Sequence, residues 1–180
     1  TTPKVLHKIS GKEMLYYSIK EALKLSDDIT VVLFHQAARV QREMEKYFSD
    51  INYVIQDHAN YPGTGGAVMG ITPKYEEVLV LNGDMPLIQS NELKKFDLDA
   101  TIVMSVLELE SADGYGRVIV EEGCVKKIVE QKDATKEELA VTTANAGIYQ
   151  FNTKFLLENL PKLSNENAQD EYYITDLIEL

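Results

Sequence analysis

The stretch Val78-Leu79-Val80-Leu81-Asn82-Gly83-Asp84-Met85-Pro86-Leu87 is an apolar run that stops abruptly at a glycine and an acid. Val78 to Leu81 reads as a strand buried on both faces, and the residues after it read as a turn, with Gly83 allowing close backbone approach and Pro86 stiffening the exit. Towards the N-terminus the pattern alternates. Ile51 to Ile55 reads as a strand, and Gly63 to Met69 as a glycine-rich turn entering a helix. Ile29 to Phe34 is another continuous β-branched run, and Val40, Met44, Tyr47 and Phe48 then recur at helical spacing. Ser10 and Glu13 form a capping box ahead of a helix over Met14 to Leu25. Strands alternating with helices at short spacing predict βαβ units in a Rossmann-like, mixed but mainly parallel sheet flanked by helices.

Towards the C-terminus the pattern changes. Ala100 to Leu109 reads as a long strand, and Val118 to Val120 with Val125 to Val129 as a hairpin turning at Glu121-Glu122-Gly123. Thr142 to Phe151 reads as a strand, and Thr153 to Leu160 as a short helix stopped by Pro161. Glu171 to Leu180 reads as the start of a further helix. A smaller antiparallel part is therefore expected beside the parallel one. With no internal repeat and no linker, residues 1–180 are expected to form a single domain.

The net charge of −11 repels polyanions, so neither nucleic acid nor an anionic membrane is an expected partner. No apolar run approaches the ~20 residues that cross a bilayer. Cys124 is the single cysteine, so no internal disulfide is possible, and a cytoplasmic setting is expected. A chain this acidic that bound an anion would need a local lysine, backbone amides or a metal ion to meet the charge. The opening Thr1-Thr2-Pro3 and an ending inside a helix-like run lead to the expectation that both ends are cut.

In open α/β sheets, ligands sit beyond the carboxyl ends of strands. Three places qualify. Asp84 directly follows a strand and can hold a hard metal ion, or it can simply cap a turn. Gln56 ends the Ile51 strand and is followed by Gly63-Thr64-Gly65-Gly66-Ala67 at a helix start, whose amides can bind an anion or the edge of a base, or can make only a flexible turn. This cluster fits neither the dinucleotide fingerprint nor the P-loop. Lys4, beside a proline-fixed turn, is either a phosphate-binding cation or a solvated surface lysine. No zinc site or catalytic triad is visible.

Taken in order, Pro3-Lys4-Val5-Leu6, Gln56 with Gly63-Thr64-Gly65-Gly66-Ala67, Asn82-Gly83-Asp84-Met85-Pro86-Leu87, Gly114-Tyr115-Gly116-Arg117, Val129-Glu130-Gln131-Lys132-Asp133-Ala134, Asn145-Ala146-Gly147 and Glu171-Tyr172-Tyr173-Ile174-Thr175-Asp176 resemble the sugar-1-phosphate nucleotidyltransferase family. The later motifs are similar to its uridyltransferase branch acting on N-acetylglucosamine-1-phosphate. The resemblance implies transfer of a uridylyl group from UTP to that sugar phosphate, with Mg2+ as cofactor. It implies that Lys4 binds nucleotide phosphates and that Gln56, Gly63 and Thr64 bind uracil. Asn82, Gly83 and Asp84 would hold nucleotide and metal, with Asp84 the metal ligand and Lys4 and Asp84 the catalytic pair. Gly116, Glu130 and Asn145 would hold the sugar. Tyr115 and Arg117 match the motif without an assigned role.

The resemblance also carries three departures. The family's opening strand and its Gly-x-Gly-Thr-Arg-Met triphosphate loop are expected ahead of Thr1. A second metal ligand, an asparagine, is expected beyond Leu180, and the loop between Gln56 and Gly63 is longer by about two residues, within ordinary loop tolerance. The family's C-terminal acetyltransferase domain, through which the full-length protein is expected to be a homotrimer, is not in this sequence. Two other readings stand beside the main one: a nucleotidyltransferase for another hexose-1-phosphate, and a non-catalytic sugar-nucleotide-binding fragment.

Overall fold

The computed structural model describes residues 1–96 and 100–180. Pro3 leads into a 3₁₀ turn at Lys4–Leu6, and the chain folds back as a hairpin of two short strands, β1 (Lys8–Ile9) and β2 (Lys12–Glu13). Its turn residues Ser10 and Gly11 have φ of 49° and 85°, the paired left-handed conformations that a two-residue hairpin turn demands. Ser10 is therefore not the expected helix cap. The helix α1 (Met14–Ala22) is entered from Glu13 without a side-chain cap, and the Glu13 carboxylate is buried 3.4 Å from Lys8 Nζ.

A β-α-β unit follows, made of β3 (Thr30–Leu33), α2 (Ala37–Met44) and β4 (Asn52–Ile55). β3 and β4 pair in parallel from Thr30↔Asn52 to Leu33↔Ile55. Helical spacing puts Val40 and Met44 on one face of α2, where they meet Leu6, Leu15, Ile19 and Leu33 in the first of two cores.

The remainder builds around one long strand. In chain order come α3 (Gly63–Val68), β5 (Glu77–Leu81), α4 (Ser90–Leu93), β6 (Ile102–Glu108), β7 (Arg117–Glu121), β8 (Cys124–Val129), α5 (Lys136–Leu139), β9 (Thr143–Asn152) and α6 (Thr153–Asn159). β9 pairs antiparallel with β5 (Val80↔Tyr149) along one edge and with β6 (Met104↔Tyr149) along the other. The β7–β8 hairpin joins at Arg117↔Ala144 and turns at Glu122-Gly123, as its sequence requires. Tyr149, Phe151, Leu156 and Leu177 lie at the centre of the second core.

The expected mixture of parallel and antiparallel pairing with flanking helices is present, but among the described residues it is divided among three sheets, the β1–β2 hairpin, the parallel β3–β4 pair and an antiparallel sheet of β5 to β9. The pairing is therefore not mainly parallel and the antiparallel part is the larger, because β3 and β5, each with an unpaired edge among the described residues, line a common cavity without bonding to each other. Residues expected to be buried on both faces, Val31, Val32 and Val78 to Leu81, are consequently only half-buried. The helix expected from Glu171 is also different. Tyr172 is extended, its N–H donating to the Pro62 carbonyl and its carbonyl accepting from Gly65 N–H, so the helical turns, of 3₁₀ type, begin only at Ile174 (Ile174–Glu179).

Candidate functional site

The carboxyl ends of β3, β4 and β5 point towards one region. A cavity of about 800 Å3 runs between β3 and β5 and reaches Lys4, Thr64, Asn82, Gly83, Gly116, Glu130 and Asn145, seven of the ten residues singled out from the sequence. The other three adjoin these. Asp84 accepts a 2.5 Å hydrogen bond from Lys4 Nζ, Gly63 precedes Thr64, and the Gln56 side chain donates to the Gly63 carbonyl.

Lys4 stands on the 3₁₀ turn and Asp84 just beyond β5, 80 residues apart in sequence. The carboxylate raises the Lys4 pKa, first through the hydrogen bond and then through its charge. The Lys4 side chain is three-quarters exposed, so this pair contributes little to stability and can exchange partners readily. Among the described residues no group of three or more metal-ligating side chains exists. A metal held here would rest on the single Asp84 carboxylate and on oxygens brought by a ligand, a donor set that suits Mg2+ better than a metal needing several protein ligands.

The glycine-rich segment is shaped by what packs on it. Gly63 has φ of 88°, and a Cβ there would lie 2.7 Å from the Tyr172 carbonyl; a Cβ on Gly66 would collide with the carbonyl of Tyr61. Glycines let α3 approach two backbone segments closely, which explains the cluster without invoking the P-loop. The Thr64 hydroxyl accepts from Ile174 N–H at 3.1 Å, and the Gln56 amide donates both of its hydrogens, to the Tyr61 and Gly63 carbonyls at 2.9 Å each. Gln56 is thus committed as a donor, and Oε1 is the atom it can offer a ligand.

On the far side of the cavity, Asn145 N–H donates to the Gly116 carbonyl at 2.9 Å, and Gly116 packs against Glu130, where an added Cβ would lie 3.2 Å from Oε1. The Asn145 side chain accepts from Gly147 N–H and donates to the Tyr149 hydroxyl. Burial pushes Tyr149 up to about 12, so it stays a neutral phenol. Burial also raises Glu130, and the like charges of Asp133, Asp176 and Glu171 push the same way, against a lowering hydrogen bond from Thr175 at 3.4 Å. Asp176 is pushed up to about 6 by burial and by Glu179 and Asp133.

Thr175, Gly147 and Tyr115 line the cavity as well, and sequence reasoning gave them no role. All three lie inside motifs quoted above. Thr175 reaches the cavity because Tyr172 to Thr175 runs past α3, where Ile174 N–H bonds Thr64 across 110 residues, a contact that no local pattern signals.

An open α/β arrangement with its candidate polar groups at strand ends is the setting in which such folds bind ligands. The family model described as nucleotidyl transferase matches residues 1–180, and the chain belongs to that family. It is 83% identical over 179 residues to the bifunctional protein GlmU of Aliarcobacter butzleri, covering 99% of this chain and 41% of that one. It is 61% identical over 180 residues to the bifunctional protein GlmU of Wolinella succinogenes, covering 99% and 42%. The chain thus spans about two fifths of the length of these curated relatives. In fold it is similar to the inositol-1-phosphate CTP transferase from T. maritima, with TM-score 0.74 at 14% identity over 99% of this chain and 71% of that one. No helix among the described residues is long and apolar enough to cross a membrane.

Proposed function

We propose that this chain forms the domain that transfers a uridylyl group from UTP to N-acetylglucosamine-1-phosphate, giving UDP-N-acetylglucosamine and pyrophosphate in cell-wall precursor synthesis. The observation that supports it most is the gathering of Lys4 with Asp84, Asn82 with Gly83, and Gly116 with Glu130 and Asn145 around one cavity. In the reaction, a phosphate oxygen of the sugar phosphate attacks the α-phosphorus of UTP. A new P–O bond forms, the bond between the α-phosphorus and its bridging oxygen breaks, and pyrophosphate departs with that electron pair. No general base is needed, because a phosphomonoester of second pKa ~6 is already largely dianionic at neutral pH.

The work left to the protein is to hold two anions in line and offset their repulsion. Lys4 moves from Asp84 to a phosphate oxygen. Mg2+, when bound, neutralises charge on the phosphates, and Asp84 is the residue that holds it. Gln56, with only Oε1 to offer, accepts a hydrogen bond from N3–H of uracil; cytosine has no hydrogen on N3 and is disfavoured. Glu130 and Asn145 position hydroxyl and acetamido groups of the sugar.

Two further parts of the reading concern the rest of the protein. The unpaired edges of β3 and β5 flank the same cavity, and we infer that one more strand with a phosphate-binding loop seats between them. A trimer built through another domain, and a cytoplasmic location, fit the same reading. The test is pyrophosphate release by the full-length protein. UTP is expected to be used in preference to ATP, GTP and CTP, and N-acetylglucosamine-1-phosphate in preference to glucose-1-phosphate. Equal turnover with a purine triphosphate overturns the base assignment, and a preference for another hexose-1-phosphate overturns the sugar assignment. The 180-residue chain alone is expected to bind UTP weakly with negligible turnover; full activity from a mass-verified chain of that length removes the need for a further strand.

A further inference from the structure

Behind the residues that line the sugar side of the cavity lies a buried cation that the chemistry above does not use. Arg117, at the start of β7, is 1% exposed and is the largest fully buried side chain among the described residues. Among the described residues its one ion pair is with an exposed carboxylate. Its Nη1 donates to the Tyr115 carbonyl at 2.5 Å and to Gln131 Oε1 at 3.0 Å, Nη2 lies 3.6 Å from the exposed carboxylate of Asp113, and buried Nε has no partner. Gln131 Oε1 also accepts from Gly114 N–H. The guanidinium therefore holds the turn Gly114-Tyr115-Gly116 twice, directly at the Tyr115 carbonyl and through the Gln131 oxygen.

A buried guanidinium met only by neutral acceptors and one long ion pair is costly as a stability device, and a hydrophobic residue would pack there more favourably. What it does is fix a turn. Gly116 ends that turn, its carbonyl holds Asn145 N–H, and it abuts Glu130, whose chain neighbour is Gln131. All three candidate sugar-binding residues are thus referenced to one buried junction. The residues on the nucleotide side, Gln56, Gly63 and Thr64, are held instead by Tyr61 and Ile174.

We propose that Arg117 and Gln131 are positioning residues that set the Gly114–Gly116 turn and Glu130, and so determine affinity for the sugar phosphate and not for the nucleotide. The proposal rests on the functional reading above. It is tested in the natural full-length protein with two variants. Gln131→Ala removes the shared oxygen by truncating an exposed side chain. Arg117→Lys keeps the charge but loses the planar, fixed geometry in which Nη1 donates to both acceptors.

In each variant that folds, KM for N-acetylglucosamine-1-phosphate is expected to rise about tenfold or more, as loss of a hydrogen bond to a charged group implies, with KM for UTP changed less than about twofold. Amide exchange at Gly114 to Gly116 in the free protein is expected to quicken. A folded Gln131→Ala protein with both KM values unchanged, or with both raised together, overturns the positioning role. Calorimetry separates the two levels: a wild-type protein that takes up no sugar phosphate defeats the functional reading and the proposal together, whereas normal wild-type uptake matched by the variant defeats the proposal alone.

Discussion

The strands around the two cores of this molecule bury their apolar residues to different degrees. Around β9, Tyr149 and Phe151 are buried and stacked with ring centroids 5.8 Å apart, and strands cover both edges. In the β3–β4 unit, Val31 and Val32 are half-buried, and Phe34, just past β3, and Ile55, which ends β4, are 54% and 68% exposed. The difference teaches that the apolar content of a strand reports the burial it is built for, and that one open edge with its adjoining cavity is enough to lower the burial it attains. The sugar side of the site is anchored to the filled core, while the nucleotide side lies against the open one.

The comparison breaks most visibly in stability. Phe151→Ala should cost about 3–5 kcal/mol, because a fully buried ring leaves a cavity in a packed layer, whereas Val31→Ala should cost about 1 kcal/mol or less. Denaturant midpoints of the two variants measure this, and equal losses would show that the two cores are filled alike. A second contrast uses glycines. Gly66→Ala drives a Cβ into the Tyr61 carbonyl, a backbone atom that cannot move alone, and should cost about 3 kcal/mol; Gly83→Ala meets only the end of the Leu15 side chain at 3.2 Å and should cost under about 1 kcal/mol. Thermal melts of both variants check the order, which an equally stable Gly66→Ala protein would reverse.

Much of this was legible in the sequence where the signal is local. The β7–β8 hairpin, the strands on either side of Gly63 and the turn after β5 follow from β-branched runs and from glycines at turns. Ser10 was misread because Ser-x-x-Glu fits a capping box and Ser-Gly equally fits a hairpin turn, and only pairing between Lys8 and Glu13 decides. The run from Glu171 has helical composition, but Tyr172 is held extended by Pro62 and Gly65, a contact over about a hundred residues that no local pattern encodes. The candidate site was legible as a set of motifs; that Lys4 meets Asp84, and that Gln56 has only its oxygen to offer, required the fold.

At the site itself, Asp84→Asn in the full-length protein should lower turnover by about a hundredfold or more, the consequence of losing a few kcal/mol of transition-state stabilisation. Asparagine keeps the shape and removes the charge, so raising Mg2+ should restore part of the rate. Manganese binding followed by electron paramagnetic resonance gives a readout separate from activity. Near-normal turnover at low Mg2+, or unchanged manganese affinity, would take the metal away from Asp84.

The smallest effect expected is also the one most sensitive to pH. Asp176 sits between the two halves of the comparison, next to Thr175 on the segment that passes α3 and faces Glu130. Burial first, then the negative charges of Glu179 and Asp133, push it up to about 6. A carboxyl whose pKa is raised on folding binds protons more tightly in the native state than in the unfolded one. The native state is therefore penalised as pH rises from the usual aspartate range, near ~3.9, and the penalty is complete above about 6. Asp176→Asn abolishes that ionisation, so the variant should be more stable than the parent at pH 7.5, by about 1 kcal/mol or less because the carboxyl is still partly screened by water. The advantage should shrink between pH 6 and 4 and vanish below about pH 3.5, where the parent carboxyl is protonated in both states. Melting temperatures of parent and variant across this range decide it. A difference that stays constant with pH would mean that packing at Asp176, and not its charge, sets the stability of the segment shared by the two halves of the site.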